Sequence, residues 1–329
     1  MCSPGSGSES FGEGERKKSS TGEITEVAMA ATDDDKGRID IWVTNLAESK
    51  KNGHKDAIWG LRSLTRESSM NRDYIAHKGA IPVVVAVLKR SQDTEIRKHA
   101  VTLLFNLSIK AHLKDVIMAA GPVEPIVEVL KSGDNEAREN AAAALFSLSS
   151  KGQNRVLIGN HKEAIPALVQ LLIDGTRRGK LDALNAIFDL SISNENKAKA
   201  VEAGVIPPLV RLLTDKDLNL IDQSLATIAL LAVHHQGQAE ISRVNCLPIL
   251  VDLVAESNAQ NRENAACILL ELCSNDPNNA YNATKLGLAG ALGELASTGT
   301  AKARRKAKKL LEIFRHAQHL TGPPGARSI

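Results

Sequence analysis

One feature constrains the fold of this chain above all others: a phrase that returns about every forty-two residues. It reads Gly79-Ala-Ile-Pro-Val-Val-Val-Ala-Val-Leu88, then Gly121-Pro-Val-Glu-Pro-Ile-Val-Glu-Val-Leu130. It returns as Ala164-Ile-Pro-Ala-Leu-Val-Gln-Leu-Leu172, Gly204-Val-Ile-Pro-Pro-Leu-Val-Arg-Leu-Leu213 and Leu247-Pro-Ile-Leu-Val-Asp-Leu-Val254, with a weaker copy at Gly287-Leu-Ala-Gly-Ala-Leu-Gly-Glu-Leu-Ala296. With the glycine position as origin, the marks fall at 79, 121, 163, 204, 245 and 287, in steps of 42, 42, 41, 41 and 42. A fixed period of this length means stacked helical units, in which each unit buries its apolar face only against its neighbours. That arrangement removes the size limit on a single core, which 329 residues would strain.

A second mark follows about twenty residues after the first. Examples are Asn140-Ala-Ala-Ala-Ala-Leu-Phe-Ser-Leu148 and Asp182-Ala-Leu-Asn-Ala-Ile-Phe-Asp-Leu190. Its closing residues are Leu64, Leu107, Leu148, Leu190, Leu231, Leu272 and Ile313, so a partial unit precedes Gly79. Counted back from each closing residue, positions −3 and 0 are bulky and −7 is usually Ala, which makes one stripe at helical spacing. The origin glycine ends a short first helix, and Pro82, Pro166, Pro207 and Pro248 sit where a second helix can start without an N–H. The expectation is a short helix, one of about ten residues, a turn, and one of about fourteen. Three helices per unit is the armadillo pattern, an all-α right-handed superhelical solenoid. A two-helix HEAT unit is the alternative, and the Gly and Pro between the first two helices argue against it.

Composition agrees with close-packed helices. Aromatics make up 3% of the chain, so the core must be Leu, Ile, Val and Ala. A formal charge of +3 is too small to argue for nucleic acid. Cys2, Cys246, Cys267 and Cys273 have neither disulfide-framework nor zinc spacing and read as reduced, mostly buried thiols. No apolar run reaches membrane-spanning length, and no secretory leader is visible. The expected organisation is a disordered polar tail over 1–37, repeats over 38–316, and a C-terminal tail over 317–329. The compartment expected from these features is the cytoplasm, the nucleus or both.

Several stretches go beyond a generic repeat: Ala137-Arg-Glu-Asn-Ala-Ala-Ala-Ala-Leu-Phe-Ser-Leu-Ser149, Gly175-Thr-Arg-Arg-Gly-Lys180, Asn261-Arg-Glu-Asn-Ala-Ala266, Asn71-Arg-Asp-Tyr-Ile-Ala76 and Ala301-Lys-Ala-Arg-Arg-Lys-Ala-Lys-Lys-Leu-Leu-Glu312. In order and over roughly residues 40 to 315, they resemble the armadillo array of plant U-box/armadillo ubiquitin ligases. In that family the array recruits substrates or receptor-kinase partners, and a separate U-box binds the charged conjugating enzyme. The polar segment ahead of the array has no U-box-like apolar pattern. The resemblance therefore implies a recognition surface without the ligase activity. The function expected is a non-enzymatic scaffold that needs no cofactor. It would hold a protein partner, as an extended peptide or a helical segment. The resemblance implies a kinase or a ubiquitination substrate as that partner. The alternative is the substrate-recognition component of U-box-type ubiquitin ligation.

Positions −8, −5 and −1 of each third helix fall on one side of it, the row that lines the concave groove of armadillo arrays. The candidate partner-binding residues there are Trp59, His99, Asn106, Asn140, Asp182, Asn185, Asp189, Gln223, Asn264 and Glu271. Amide side chains can pair with a peptide backbone without reading its sequence. Importin-α carries Trp at −5 and Asn at −1 in many units; here only Trp59 and Asn106 match, which argues against import-signal reception.

Three further motifs need a reading. Gly175-Thr-Arg-Arg-Gly-Lys180 is one residue short of a phosphate loop and has Leu181 in place of the hydroxyl, so it reads as an inter-helix turn. His234-His235 and His316-x-x-His319 lack a second ligand pair for a metal. Lys302, Arg304, Arg305, Lys306, Lys308 and Lys309 form a basic run, read as a localisation signal, an acidic-partner site or the polar cap of a terminal unit.

Overall fold

A computed structural model describes residues 32–48, 53–215 and 217–321. Among them every regular element is a helix. Two helices, α1 (Asp33–Ala47) and α2 (His54–Glu67), form the partial first unit. Unit two is α3 (Ser69–His77), α4 (Ala80–Arg90) and α5 (Thr94–Ser108). Unit three is α6 (Leu113–Ala119), α7 (Val123–Ser132) and α8 (Asn135–Ser149). Unit four is α9 (Gly152–Gly159), α10 (Ala164–Asp174) and α11 (Arg177–Leu190). Unit five is α12 (Asn194–Glu202), α13 (Ile206–Thr214) and α14 (Ile221–Leu231). Unit six is α15 (His235–Arg243), α16 (Leu247–Glu256) and α17 (Ala259–Asn275). Unit seven is α18 (Pro277–Lys285), α19 (Leu288–Thr298) and α20 (Ala301–Thr321). The third helices α2, α5, α8, α11, α14, α17 and α20 stack in that order, each on the one before. This is the armadillo solenoid.

The turn between first and second helices needs a left-handed residue. Gly79 takes it with φ 76°, and at the same place in unit six Asn245 takes it with φ 48°. Asparagine is the non-glycine residue that tolerates this region best, so the phrase keeps its geometry where the glycine is lost. Third helices begin on side-chain caps. Asp93, Asp134, Thr176, Asn258 and Thr300 each accept a backbone N–H three residues on, at 2.8–3.1 Å.

The core is a continuous stack. Leu61, Leu104, Leu145, Ile187, Ile228 and Leu269 at −3 are all at or near zero exposure, as are Leu107, Leu148, Leu190 and Leu231 at position 0. Each such side chain contributes about 1.5–3 kcal/mol by leaving water. Gly60 marks a tight approach: a Cβ there would lie 2.4 Å from the Trp42 ring of α1.

First helices are tied down by an amide. Asn71, Asn154, Asn196 and Asn279 donate Nδ2 to the carbonyls of Leu64, Leu148, Leu190 and Leu272, the closing residues of the third helices before them, at 2.9–3.4 Å. These carbonyls are among the last four of each helix, which lack intrahelical donors. In unit six Gly237 stands there instead, and a Cβ on it would come within 2.1 Å of the Leu231 carbonyl oxygen.

Three boundaries differ from the expectation. The ordered array starts at Asp33, inside the segment read as tail, because Thr32 accepts the Asp35 N–H at 3.1 Å and Asp33, Asp34 and Asp35 fill the first turn. Acids there oppose the positive helix end. Residues 1–31 of that tail lie outside the described residues. At the other end α20 runs past 316 to Thr321, because nothing before Gly322-Pro-Pro324 breaks a helix. The part of the C-terminal tail over 322–329 also lies outside the described residues. The last closing residue is Phe314, not Ile313. Phe314 is 3% exposed, and it stands fourteen residues after the cap Thr300, as Leu190 does after Thr176. Both residues are apolar, so periodicity alone did not separate them.

Candidate partner-binding face

The predicted polar row is placed between units rather than at the centre of the open face. At −1, the Asn106 amide donates to Thr65 Oγ1 of the preceding third helix at 3.1 Å. Ser147 Oγ donates to the Ser108 carbonyl at 3.0 Å. Asp189 accepts the Ser149 hydroxyl at 2.6 Å and Arg155 Nη2 at 3.0 Å. Position −1 of one unit thus bonds position +1 of the unit before, three times in succession. The ladder stops at Leu230, and the Ser191 hydroxyl opposite it is buried with no partner.

Position −8 behaves alike. The Asn140 amide is 4% exposed; it donates to Thr102 at 2.9 Å and accepts Arg178 Nη2 at 3.0 Å. His99 is buried, and Arg62 Nη1 donates to its Nδ1 at 2.6 Å. Burial first, then the Arg62 cation, hold the imidazole below its usual pKa, so the neutral ring accepts. Asp182 lies 3.6 Å from Arg178, with Oδ2 buried and unbonded. Burial pushes its carboxyl up to about 6; Arg178 opposes this and Glu139 reinforces it. Gln223 is exposed, and Asn185, Asn264 and Glu271 are half-buried. Asn264 accepts Gln260 at 3.2 Å, and Glu271 accepts Gln238 at 3.5 Å.

The Arg-Glu-Asn motif is a clasp between units. Arg138 Nε donates to the Leu130 carbonyl at 3.2 Å, and its Nη2 meets Asp174 of the next unit at 2.6 Å. Arg262 repeats this with Val254 at 2.9 Å and Glu294 at 3.0 Å. Glu139 and Glu263 each accept the hydroxyl of the next third-helix cap, Thr176 and Thr300 respectively. The basic turn is used internally as well. Arg177 Nε reaches the Leu218 carbonyl at 2.8 Å, and Lys180 caps α10 through the Leu172 carbonyl at 2.9 Å.

What is left open on the third helices is a different face. At about 100° per residue, positions −5, −2 and +2 centre about 60° around the helix from the predicted row. Here lie the exposed apolar residues Trp59 and Phe146, at 57 and 39% exposure, and just past the ends of α5, α11 and α14 the turn residues Ile109, Ile192 and Val233, at 51, 39 and 40%. Phe105, Phe188 and Leu270 at −2 are half-buried. The floor at −5 is made of short side chains: Thr102, Ala143, Ala226 and Cys267. On the N-terminal side, positions −12 and −9 form a charged wall with Glu95, Lys98, Glu136, Glu139, Arg178, Asp222 and Glu263. The result is a shallow trough across the helices with one apolar wall, one charged wall and a low floor. Only Trp59 and Asn185 of the predicted residues fall on that floor. The signal was present in the sequence: Phe105, Phe146 and Phe188 recur two residues before the closing leucine. Position −2 adjoins the buried stripe at −3 and 0 and lies outside the row expected to bind.

The basic run divides in two once Phe314 sets the register. Arg304, Lys308 and Arg315 occupy −10, −6 and +1, facing where a further unit would stack; Lys308 stands where inner units have Ile58, Val101, Leu184 or Leu225. Lys302, Arg305 and Lys309 occupy −12, −9 and −5, the rows of the trough. Lys306 lies between the helices, 3.6 Å from Glu263. Cys246 and Cys273 are buried, and burial pushes their thiols up to about 11 and about 12, which removes thiolate chemistry near neutral pH. Among the described residues no helix is long and apolar enough to cross a membrane.

Comparison with known proteins agrees with this architecture. The family described as the plant U-box protein ARM repeat region matches residues 40–321. U-box domain-containing protein 1 of Medicago truncatula is 41% identical over 279 residues, covering 83% of this chain and 40% of that protein. U-box domain-containing protein 17 of Arabidopsis thaliana is 34% identical over 297 residues, covering 88% of this chain and 40% of that protein. The chain thus spans about two fifths of the length of these relatives. Among solved structures, an engineered protein superposes with a TM-score of 0.73 at 23% identity, covering 84% of this chain and 68% of its own. That likeness supports the fold alone. Taken with the family match over most of the repeats, it leads to one assignment: the chain belongs to the family of plant U-box protein armadillo-repeat regions.

Proposed function

We propose that this interaction repeat domain holds a segment of a partner protein along the third-helix trough. The observation that carries the reading is the recurrence of exposed apolar side chains at the C-terminal ends of successive third helices: Phe146 within α8, and Ile109, Ile192 and Val233 in the turns that follow α5, α11 and α14. Scattered exposed apolar residues are ordinary, whereas a contiguous row bounded by polar groups marks an interaction site. A partner that is amphipathic along its length fits one apolar and one charged wall. Its apolar side chains rest over the short floor at Ala143 and Ala226. The domain itself is a non-catalytic scaffold or adaptor, working in the cytoplasm, the nucleus or both.

A test compares proteins captured by the tagged chain with those captured by Phe146→Asp plus Ile192→Asp. Partners that use the trough disappear with the double variant while its melting temperature is kept. Full recovery of the same partners removes the trough from the account.

A second reading has support in the comparisons: the domain serves as the substrate arm of U-box-type ubiquitin ligation, because the relatives are U-box domain-containing proteins. Its partner would then be a ubiquitination substrate or a kinase. Reconstituted ubiquitination of a captured partner, with and without this domain, tests it. Modification independent of the domain contradicts it.

A further inference from the structure

The charged wall answers its own acids. Glu136 takes Arg62 at 2.8 Å, Glu95 takes Lys98 at 2.7 Å, and Asp222 accepts the Asn261 amide at 2.7 Å. Glu263 takes the Thr300 hydroxyl and lies 3.6 Å from Lys306. At α20 this stops. Lys302, Arg305 and Lys309 are exposed, and none has an ion pair among the described residues. The need for a polar cap does not account for them, because the face toward a further unit is covered by Arg304, Lys308 and Arg315. A depression of about 470 Å³ opens along α20, lined by Arg304, Arg305, Lys308 and Lys309 with Ala301 and one carboxylate, Glu312.

We infer that the α20 end of the trough is an anion-binding docking site for an acidic stretch of the partner polypeptide, continuous with its trough-bound segment. Unpaired cations in the trough rows of α20, bordering a depression that Arg304 and Lys308 complete from the adjoining face, outnumber Glu312 and complement a run of carboxylates. The inference rests on the trough reading and adds the partner's chemistry and spacing. Third helices packed about 8–10 Å apart correspond to about three residues of extended chain per unit. A partner anchored at Val233 in unit five therefore reaches α20 about six residues later. Its acidic run begins there.

The test uses the full chain and a labelled octaglutamate peptide, followed by fluorescence anisotropy at low and moderate salt. Wild type binds saturably. Arg305→Glu plus Lys309→Glu weakens binding at least tenfold, while Lys89→Glu plus Arg90→Glu, an equal charge change on α4, leaves it within twofold. No binding, or equal binding by the first pair, overturns the inference. So does tighter binding of duplex DNA, inorganic phosphate or phosphatidylserine vesicles through Arg305 and Lys309. The trough is scored separately: Phe146→Asp leaves octaglutamate binding intact. If it abolishes partner capture while octaglutamate fails to bind, the trough stands and the acidic docking site falls. If octaglutamate binds as stated and Phe146→Asp spares capture, the reverse holds.

Discussion

The Ser149 hydroxyl of α8 donates to the Asp189 carboxylate of α11 at 2.6 Å, and Arg155 closes on the same carboxylate at 3.0 Å. The three groups join unit three to unit four. Hydrogen bonds to a buried charge contribute about 1.5–3 kcal/mol, and removing one partner leaves the others unpaired. Asp189→Ala is expected to lower unfolding free energy by about 2–3 kcal/mol, with Asp189→Asn intermediate, as read by urea denaturation. Equal stability of all three proteins contradicts the ladder.

The opposite sign is expected one unit on. Ser191 holds the same ladder position as Ser149, yet its hydroxyl is buried without a partner because Leu230 faces it. Burying an unpaired hydroxyl costs about 1–3 kcal/mol. Ser191→Ala should stabilise the chain by about 1 kcal/mol, whereas Ser149→Ala should destabilise it. Paired thermal melts decide between the signs.

Asp182 carries a pH signature. Its folded pKa of about 6 lies above the ordinary aspartate value of 3.8, chiefly through burial. Between these values the folded state binds the proton and the unfolded state does not, so this group's contribution to stability falls as pH rises through about 6. Asp182→Asn should therefore stabilise by about 1–3 kcal/mol at pH 8 and have little effect near pH 4. Carbon-detected NMR titration of the carboxyl gives the pKa directly. An ordinary value near 4 would show that Arg178 fully offsets burial.

At Gly79 the backbone sits at φ 76°, a region that costs a non-glycine residue about 1–2 kcal/mol. Gly79→Ala should be destabilising by that amount, although open space surrounds the added methyl. Asn245→Gly, at φ 48°, should be near neutral or slightly stabilising. Denaturant midpoints for both test whether conformation rather than packing sets the phrase.

The stacking of helices was legible in the sequence because burial repeats. Of the six marks set by the forty-two-residue phrase, five are left-handed turns, and the exception is Glu163, where the chain keeps φ −95°. The face used for binding was less legible. Whether Asn140 is a ligand group or a structural one depends on Thr102 and Arg178, each 38 residues away, and no local pattern reports such a partner. Phe146 was hidden for another reason. It adjoins the core stripe, and a helix one position away from burial looks apolar in either case. The clasping role of Arg138 and Glu139 was likewise invisible until Asp174 and Thr176 of the next unit came alongside.

The central claim is that partners lie on the face carrying Phe146. Site-specific photocrosslinking tests it most directly, with a benzophenone amino acid placed at Phe146 or at Leu157, an exposed apolar residue of the first helix α9. Crosslinked partner from position 146 and none from 157 is the predicted result. Crosslinks from 157 alone would contradict the account.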